Sequence, residues 1–312
     1  MTQRRALLLG MAGAAALRPA RAAGWPERPL SLVLPFNAGG PSDNFARVLA
    51  QQLNQALGEP GVVVLNKPGA AGNIGLAEVA ASQPDGYMLG IITNSVAAHV
   101  VMVPKPIVTF DSFTWLAGLV VEPSAIVARP GSFRDFADFI AQARRRGLSV
   151  GHAGIGTAHQ IALSLLERKA GIELVQVPFT GSAPAKTQLL GGHIDAAIFP
   201  LSEVLIMLRE RQGQALAVTL AERTRFAPDM PTFRENGFEV VSGTRRGIVG
   251  PAGLPAPVQQ RLGAALAQVM QSAALKQVLD EMNVEIDFRS GPDLLALMRQ
   301  DEATIRALRL PT

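Results

Sequence analysis

The sequence contains no cysteine. That excludes disulfides, thiolate nucleophiles, cysteine-ligated zinc and a lipid-anchored N-terminal cysteine. Aromatic residues are 5% of 312, with two Trp and one Tyr, too few for the stacking surfaces that hold single-stranded nucleic acid. No segment after the N-terminal leader reaches about 18 uninterrupted apolar residues, so no stable membrane insertion is expected and the mature chain reads as soluble. A field of one charge sign is also missing. The formal net charge is +4, but Arg4, Arg5, Arg18 and Arg21 lie in the first 22 residues with no acid among them, and removing them leaves 25 basic and 25 acidic residues. The short basic runs Arg144-Arg145-Arg146 and Arg245-Arg246 are too small for a nucleic-acid footprint.

What is present is apolar. Hydrophobic residues make up 48%, more than a disordered chain carries, so a packed fold is expected. Roughly 290 residues remain after the leader, which exceeds the usual single core and points to two lobes.

Residues 1–22 read as a cleavable export signal. Arg4 and Arg5 form the positive start, Ala6 to Leu17 is an apolar run too short to span a bilayer, and Ala20-Arg21-Ala22 places the cut before Ala23. Gln3 to Leu9 (QRRALLL) fits either a twin-arginine signal or an ordinary one with two adjacent arginines.

Along the mature chain, strands alternate with helices. Leu30 to Phe36 is an apolar strand. Phe45, Val48, Leu49, Leu53, Ala56 and Leu57 recur at helical spacing before Gly58. Val62 to Leu65 and Tyr87 to Thr93 read as strands flanking a short helix over Ile74 to Ser82. The pattern restarts with an extended Ser124 to Ala128 and a helix over Phe133 to Arg145. Strands at 148–152, 174–179, 196–199 and 216–220 then alternate with helices at 157–170, 184–190 and 204–211. Three helices close the chain, at 257–271, 273–282 and 292–308. This alternation predicts α/β architecture with mostly parallel sheets covered by helices.

Four strand-to-helix turns share one composition: Asn37-Ala38-Gly39-Gly40, Thr93-Asn94-Ser95, Gly154-Ile155-Gly156-Thr157, and Thr180-Gly181-Ser182-Ala183-Pro184. Thr157 and Gln160 have capping-box spacing, Ser182 reads as a cap, and Asp43 sits in a first helical turn. Each turn offers backbone N–H groups, a helix N-terminus or a small hydroxyl, which together make anion sites. In open α/β sheets such turns gather at the carboxyl ends of the strands. Two turns come from each half, so a small carboxylate between the halves could be held by all four. The same residues also serve as ordinary turn and cap residues.

Catalytic templates are missing. GHAGIG at Gly151 to Gly156 is not a dinucleotide fingerprint, and there is no P-loop and no G-x-S-x-G elbow. His152 and His159 lack a zinc spacing. No cofactor or metal and no catalysis are expected. Asp195 either orients a loop or accepts from a ligand amine.

At this point the motifs resemble a family. PFNAGGPSDNFAR (Pro35 to Arg47) is similar to the signature of Bug-type periplasmic receptors, the substrate-binding proteins of tripartite tricarboxylate transporters. The likeness continues in order through NKPGAAGNIG (Asn66 to Gly75), PDGY (Pro84 to Tyr87), GHAGIGTAHQ (Gly151 to Gln160), VPFTGSAPA (Val177 to Ala185), GGHIDAAIF (Gly191 to Phe199), PDMPTFRENG (Pro228 to Gly237) and GPAGLP (Gly250 to Pro255). The resemblance implies a two-lobe periplasmic binding-protein fold, type II-like, closing on a small carboxylate. Lobe 1 would span 23–123 and 244–312, and lobe 2 would span 124–243. Phe36, Asn37, Ala38, Gly39, Thr93 and Ser95 would line the first-lobe side. Gly156, Thr157, His159, Phe179, Gly181, Ser182 and Ala183 would line the second.

Two departures stand out. The family commonly has an aromatic followed by Lys where this chain reads Phe179-Thr180, and Trp-Phe-Gly where it reads Arg245-Arg246-Gly247. Arg245 is either a clamp for a second carboxylate or an exposed rim residue. The expected function is a monomeric, exported solute-binding protein. It would capture a di- or tricarboxylic acid, an amino acid or an aromatic acid and deliver it to membrane transporter subunits. Presentation of ligand to a membrane sensor kinase is an alternative use of the same fold. An α/β oxidoreductase would require a nucleotide fingerprint or an acid/base pair, and neither is found.

Overall fold

The computed structural model describes residues 24–39, 41–58 and 60–310. The export signal and its cleavage point lie outside the described residues. The order begins β1 (Leu30–Leu34), α1 (Pro41–Leu57), β2 (Val62–Asn66), α2 (Asn73–Ala80), β3 (Met88–Thr93), α3 (Ser95–Met102) and β4 (Phe113–Ala128). It continues α4 (Phe136–Ala143), β5 (Leu148–His152), α5 (Ala158–Ala170), β6 (Leu174–Pro178), α6 (Ser182–Leu190), β7 (Ala196–Pro200), α7 (Leu201–Arg209) and β8 (Gln214–Val218). It ends β9 (Gly243–Pro251), α8 (Ala256–Met270), α9 (Ala273–Glu281), β10 (Glu285–Ser290) and α10 (Gly291–Leu308).

Two sheets share one long strand. In the first, β1 pairs parallel with β2 and β3, and β9 joins antiparallel between β3 and β4. In the second, β5 pairs parallel with β6 and β7, and β4 receives β7 and β8 antiparallel. The sixteen residues of β4 serve both: its pairing with β9 runs to Pro123, and its pairing with β7 begins at Ser124. Each sheet thus has a parallel half closed by antiparallel strands.

Each sheet is covered on both faces. One apolar cluster of the first sheet joins Leu32, Leu34 and Leu89 to Phe45, Leu49 and Leu53 of α1 and Leu262 and Leu266 of α8. The other face packs Val33 and Ile92 against Leu76, Val96 and Met298. In the second sheet, Val150 and Ile198 lie with Phe136, Phe139 and Leu163, while Phe199 and Val218 lie with Leu189 and Val204. Burial on both faces explains why β1 carries the adjacent apolar residues Leu32, Val33 and Leu34 rather than a strict alternation. Ile161 of α5 belongs to the cluster formed by α3 and α10, so a helix of the second lobe packs on the first.

The sequence reading missed two strands entirely. β9 carries Thr244, Arg245 and Arg246 between small residues, and β10 alternates charge with Ile286 and Phe288 at a sheet edge. Neither has the apolar density of a buried strand. The first half of β4 and helix α3 were also unassigned, because a short apolar stretch does not itself choose between helix and strand.

Candidate functional site

The parallel strands of both sheets end at the same cavity, of about 750 Å³. Five helices begin at its wall. Ser42 of α1 and Ser95 of α3 come from the first lobe, and His159 of α5, the Gly181 cap of α6, and Ser202 and Glu203 of α7 come from the second. Each helix start brings unpaired N–H groups and about half a positive charge. The cavity is therefore polarised to receive an anion without a basic surface.

Local structure fixes each turn. Asp43, at the start of α1, accepts from Gly39 N at 3.0 Å, Arg47 Nε at 2.9 Å and Asn66 Nδ2 at 2.9 Å. The Arg47 guanidinium, the Gly39 amide and the Asn66 amide together lower its pKa to about 2. Asn66 Nδ2 also donates to Phe36 O at 3.1 Å. The first two sequence motifs are thereby tied into one turn, and Asp43 organises it rather than facing the cavity. In the second turn Thr93 and Ser95 hydroxyls meet at 2.7 Å. Asn94 reaches away to β9, donating to Gly243 O at 3.0 Å and accepting from Arg245 N at 3.3 Å.

In the third turn the Thr157 hydroxyl donates to Gly154 O at 2.7 Å, and Gln160 N donates back to that hydroxyl at 3.5 Å. Gln160 Oε1 takes the Gly156 N–H at 2.7 Å, one residue earlier than a capping box would place it. Gly156 has φ +75°, and a Cβ there would stand 3.2 Å from Ala98 Cβ of α3, so glycine permits the two lobes to approach at this point. In the fourth turn Gly181, with φ +122°, is the cap, and Ser182 is the first helical residue. Its hydroxyl bonds Glu203.

Phe36, Asn37, Thr93, Ser95, Thr157, His159, Phe179 and Gly181 all line the cavity. Ala38 and Gly39 are exposed outside it, Gly156 is buried behind Gln160, and Ser182 and Ala183 lie beyond its wall. Two sequence expectations are corrected. Asp195 is far from the cavity, at the opposite end of β7. It binds Arg146 at 2.9 Å and accepts from Ser149 N and Oγ, both at 2.8 Å, so it staples β7 to β5. Arg245 lines a separate cavity of about 340 Å³ with Asp301 of α10. Its neighbour Arg246 faces the main cavity instead. Successive residues of a strand point to opposite faces, so a choice one residue off in β9 exchanges the front of the hinge for its back.

The residues that sequence reasoning missed are the charged ones. Arg246 Nη2 pairs with Glu122 Oε2 at 2.8 Å, and the Ser202 hydroxyl donates to Glu122 Oε1 at 2.5 Å. Glu122 is 3% exposed and Arg246 8%. The pair joins the two strands that cross between lobes. An acid inside the apolar run of β4, at Val121-Glu122-Pro123, was the available signal.

His159 is 5% exposed, and neither ring nitrogen has a hydrogen-bond partner. Burial lowers its pKa to about 4, against the smaller opposing pull of Glu122. A neutral imidazole facing the cavity can donate one hydrogen bond and accept another. Glu203 is half-buried, and burial pushes its pKa up despite the Ser182 hydrogen bond. A larger depression of about 1280 Å³ lies on the far side of α5. Two of its charged groups are engaged within the fold: Arg168 donates to Ala307 O at 2.8 Å, and Glu167 accepts from Leu174 N at 2.7 Å. Among the described residues no group of acids and histidines could hold a metal ion, and no helix is long and apolar enough to cross a membrane.

Comparison with known proteins agrees with this geometry. Protein BugT of Bordetella pertussis is 32% identical over 276 residues, covering 86% of this chain and 84% of its own. The crystal structure of a TctC solute binding protein from Polaromonas is 31% identical with a TM-score of 0.78, covering 91% of this chain and 98% of that one. MatC from Rhodopseudomonas palustris with bound malate is 28% identical with a TM-score of 0.76, covering 91% and 99%. The Polaromonas protein is described as a solute binding protein, and both solved structures share the fold of this chain. Residues 45–308 match the family described as "Tripartite tricarboxylate transporter family receptor", and the chain belongs to that family.

Proposed function

We propose that this protein is an exported, monomeric receptor that captures a small carboxylate between its lobes and hands it to a membrane transporter, without altering it chemically. The observation that carries the reading is the convergence of five helix starts, from both lobes, on a cavity containing the buried and unpartnered His159 ring. A buried polar group without a partner is costly, and a ligand oxygen supplies the missing bond. The malate-bound relative supports a carboxylate as the occupant. Lobe closure would complete the hydrogen-bond shell from both sides. Of the charged lining residues, Glu122 and Arg246 are tied to each other, which suits a fixed electrostatic frame rather than proton transfer.

The test is thermal unfolding of the processed protein, freed of co-purified ligand by unfolding and refolding, against mono-, di- and tricarboxylates and aromatic acids. At least one acid should raise the melting temperature, since ligand at about 100 times its Kd adds about 2.7 kcal/mol. Ala153→Phe, which fills the cavity from the half-buried turn after β5, should abolish the shift while leaving the unliganded melting temperature near that of the parent. No shift with any acid, or an unchanged shift in the Ala153 variant, would overturn the reading.

A further inference from the structure

The cavity lining carries two carboxylates and one guanidinium: Glu122, Glu203 and Arg246. Glu122 and Arg246 neutralise each other at 2.8 Å, and the buried His159 is neutral. Glu203 is therefore the one lining charge, among the described residues, without a cationic partner in the cavity. The cation that acts on it is Lys186 of α6, which lies outside the lining and pairs with Glu210 at 3.5 Å. Glu203 also accepts from the Ser182 hydroxyl, which lies beyond the cavity wall.

The two ends of the cavity consequently differ. Toward α1, α3 and α5 it offers Asn37, Ser42, Thr157 and His159, and the acid that acts on His159, Glu122, is neutralised by Arg246. Toward α6 and α7 it offers Gly181 and Glu203. An anion is favoured at the first end, and a second anion is opposed at the other. A cationic nitrogen there would take the unpaired Glu203 charge out of an otherwise uncompensated site.

We infer that the preferred ligand is a carboxylate bearing an ammonium or other cationic nitrogen, with its carboxylate at the α1–α3–α5 end and its cation at Glu203. This rests on the carboxylate reading above and narrows it: plain diacids and triacids become the weaker ligands. The direction of the Glu203 titration agrees, because burial without a cavity cation raises a carboxylic pKa.

The experiment is calorimetric titration of the ligand-free protein with matched sets of equal chain length: a monocarboxylate, its α- or ω-amino derivative and the corresponding dicarboxylate. In the wild type one amino derivative should bind at least about tenfold more tightly than both partners of its set, equivalent to about 1.4 kcal/mol. Glu203→Gln is nearly isosteric and keeps a partner for Ser182. It should erase that preference, bringing the amino derivative and the plain monocarboxylate within about threefold of each other in affinity. Diacids binding the wild type as well as or better than amino derivatives, or a preference that survives Glu203→Gln, would overturn the inference and leave the carboxylate reading standing. A panel in which no carboxylate of any kind binds would overturn both.

Discussion

Replacing Arg246 by Met removes the cation from the Glu122–Arg246 pair and keeps most of its apolar volume. The consequence is large because the pair is dry: the two side chains are 10% and 4% exposed. Glu122 would be left with the Ser202 hydroxyl as its remaining side-chain donor. Removing one partner of a buried pair typically costs about 3–5 kcal/mol, since the other charge stays desolvated. Unfolding entropy of about 2.1 cal/mol/K per residue over roughly 290 residues gives about 0.6 kcal/mol/K, so the melting temperature should fall by about 5–8 °C. The double variant Glu122→Gln/Arg246→Met removes both charges. It should recover more than half of that loss, because desolvation and attraction nearly cancel in such pairs. Urea denaturation at pH 7 with both single variants and the double variant closes the cycle. If Arg246→Met costs less than about 1 kcal/mol, or the double variant costs as much as the two singles added, the buried-pair argument is refuted.

Two further predictions concern one residue in the cavity and one far from it. His159 has a pKa near 4 folded against 6.5 in its ordinary state, so the unfolded chain takes up a proton that the folded chain refuses between those values. Stability should therefore fall as pH drops from about 6.5 to 4, by up to about 1.4 kcal/mol per unit from this group. His159→Gln should lack that part of the slope. His99 and His152, shifted the same way by burial, and Glu203 and Asp301, shifted upward and acting oppositely, remain in both proteins and drop out of the difference. Urea titrations at pH 7, 6 and 5 giving parallel slopes would remove His159 from the account. Asp195→Asn should lower stability by about 1–2 kcal/mol through loss of charge-assisted bonds to Arg146 and Ser149, yet leave ligand affinity unchanged. A weakened affinity in calorimetry would return Asp195 to the site.

The lobes and their strand-to-helix turns were legible because local chemistry dictates them. Apolar runs such as Leu30–Leu34 are buried whichever sheet they join, and Gly, Ser and Thr at a strand end followed by an amphipathic run mark a helix start almost regardless of context. The ordered motifs from Pro35 to Pro255 carried the family resemblance on the same residues. The pairing of Asp43 with Arg47 at i,i+4 was equally local.

The polarity of the cavity was decided elsewhere. Glu122 and Arg246 are 124 residues apart, and only the antiparallel register of β4 with β9 sets them side by side. That register, not the composition of Arg245-Arg246, chooses which guanidinium meets the cleft and which meets Asp301 behind the hinge. Glu203 is an ordinary first-turn acid in sequence, and it becomes the cavity's uncompensated charge only because α7 starts beside α6. The sequence by itself determined the elements, their apolar faces and the turns offering N–H groups, since these depend on neighbours within a few residues. Tertiary structure decided which charges share the cavity and whether they are paired, since that depends on strand register and helix placement across more than a hundred residues.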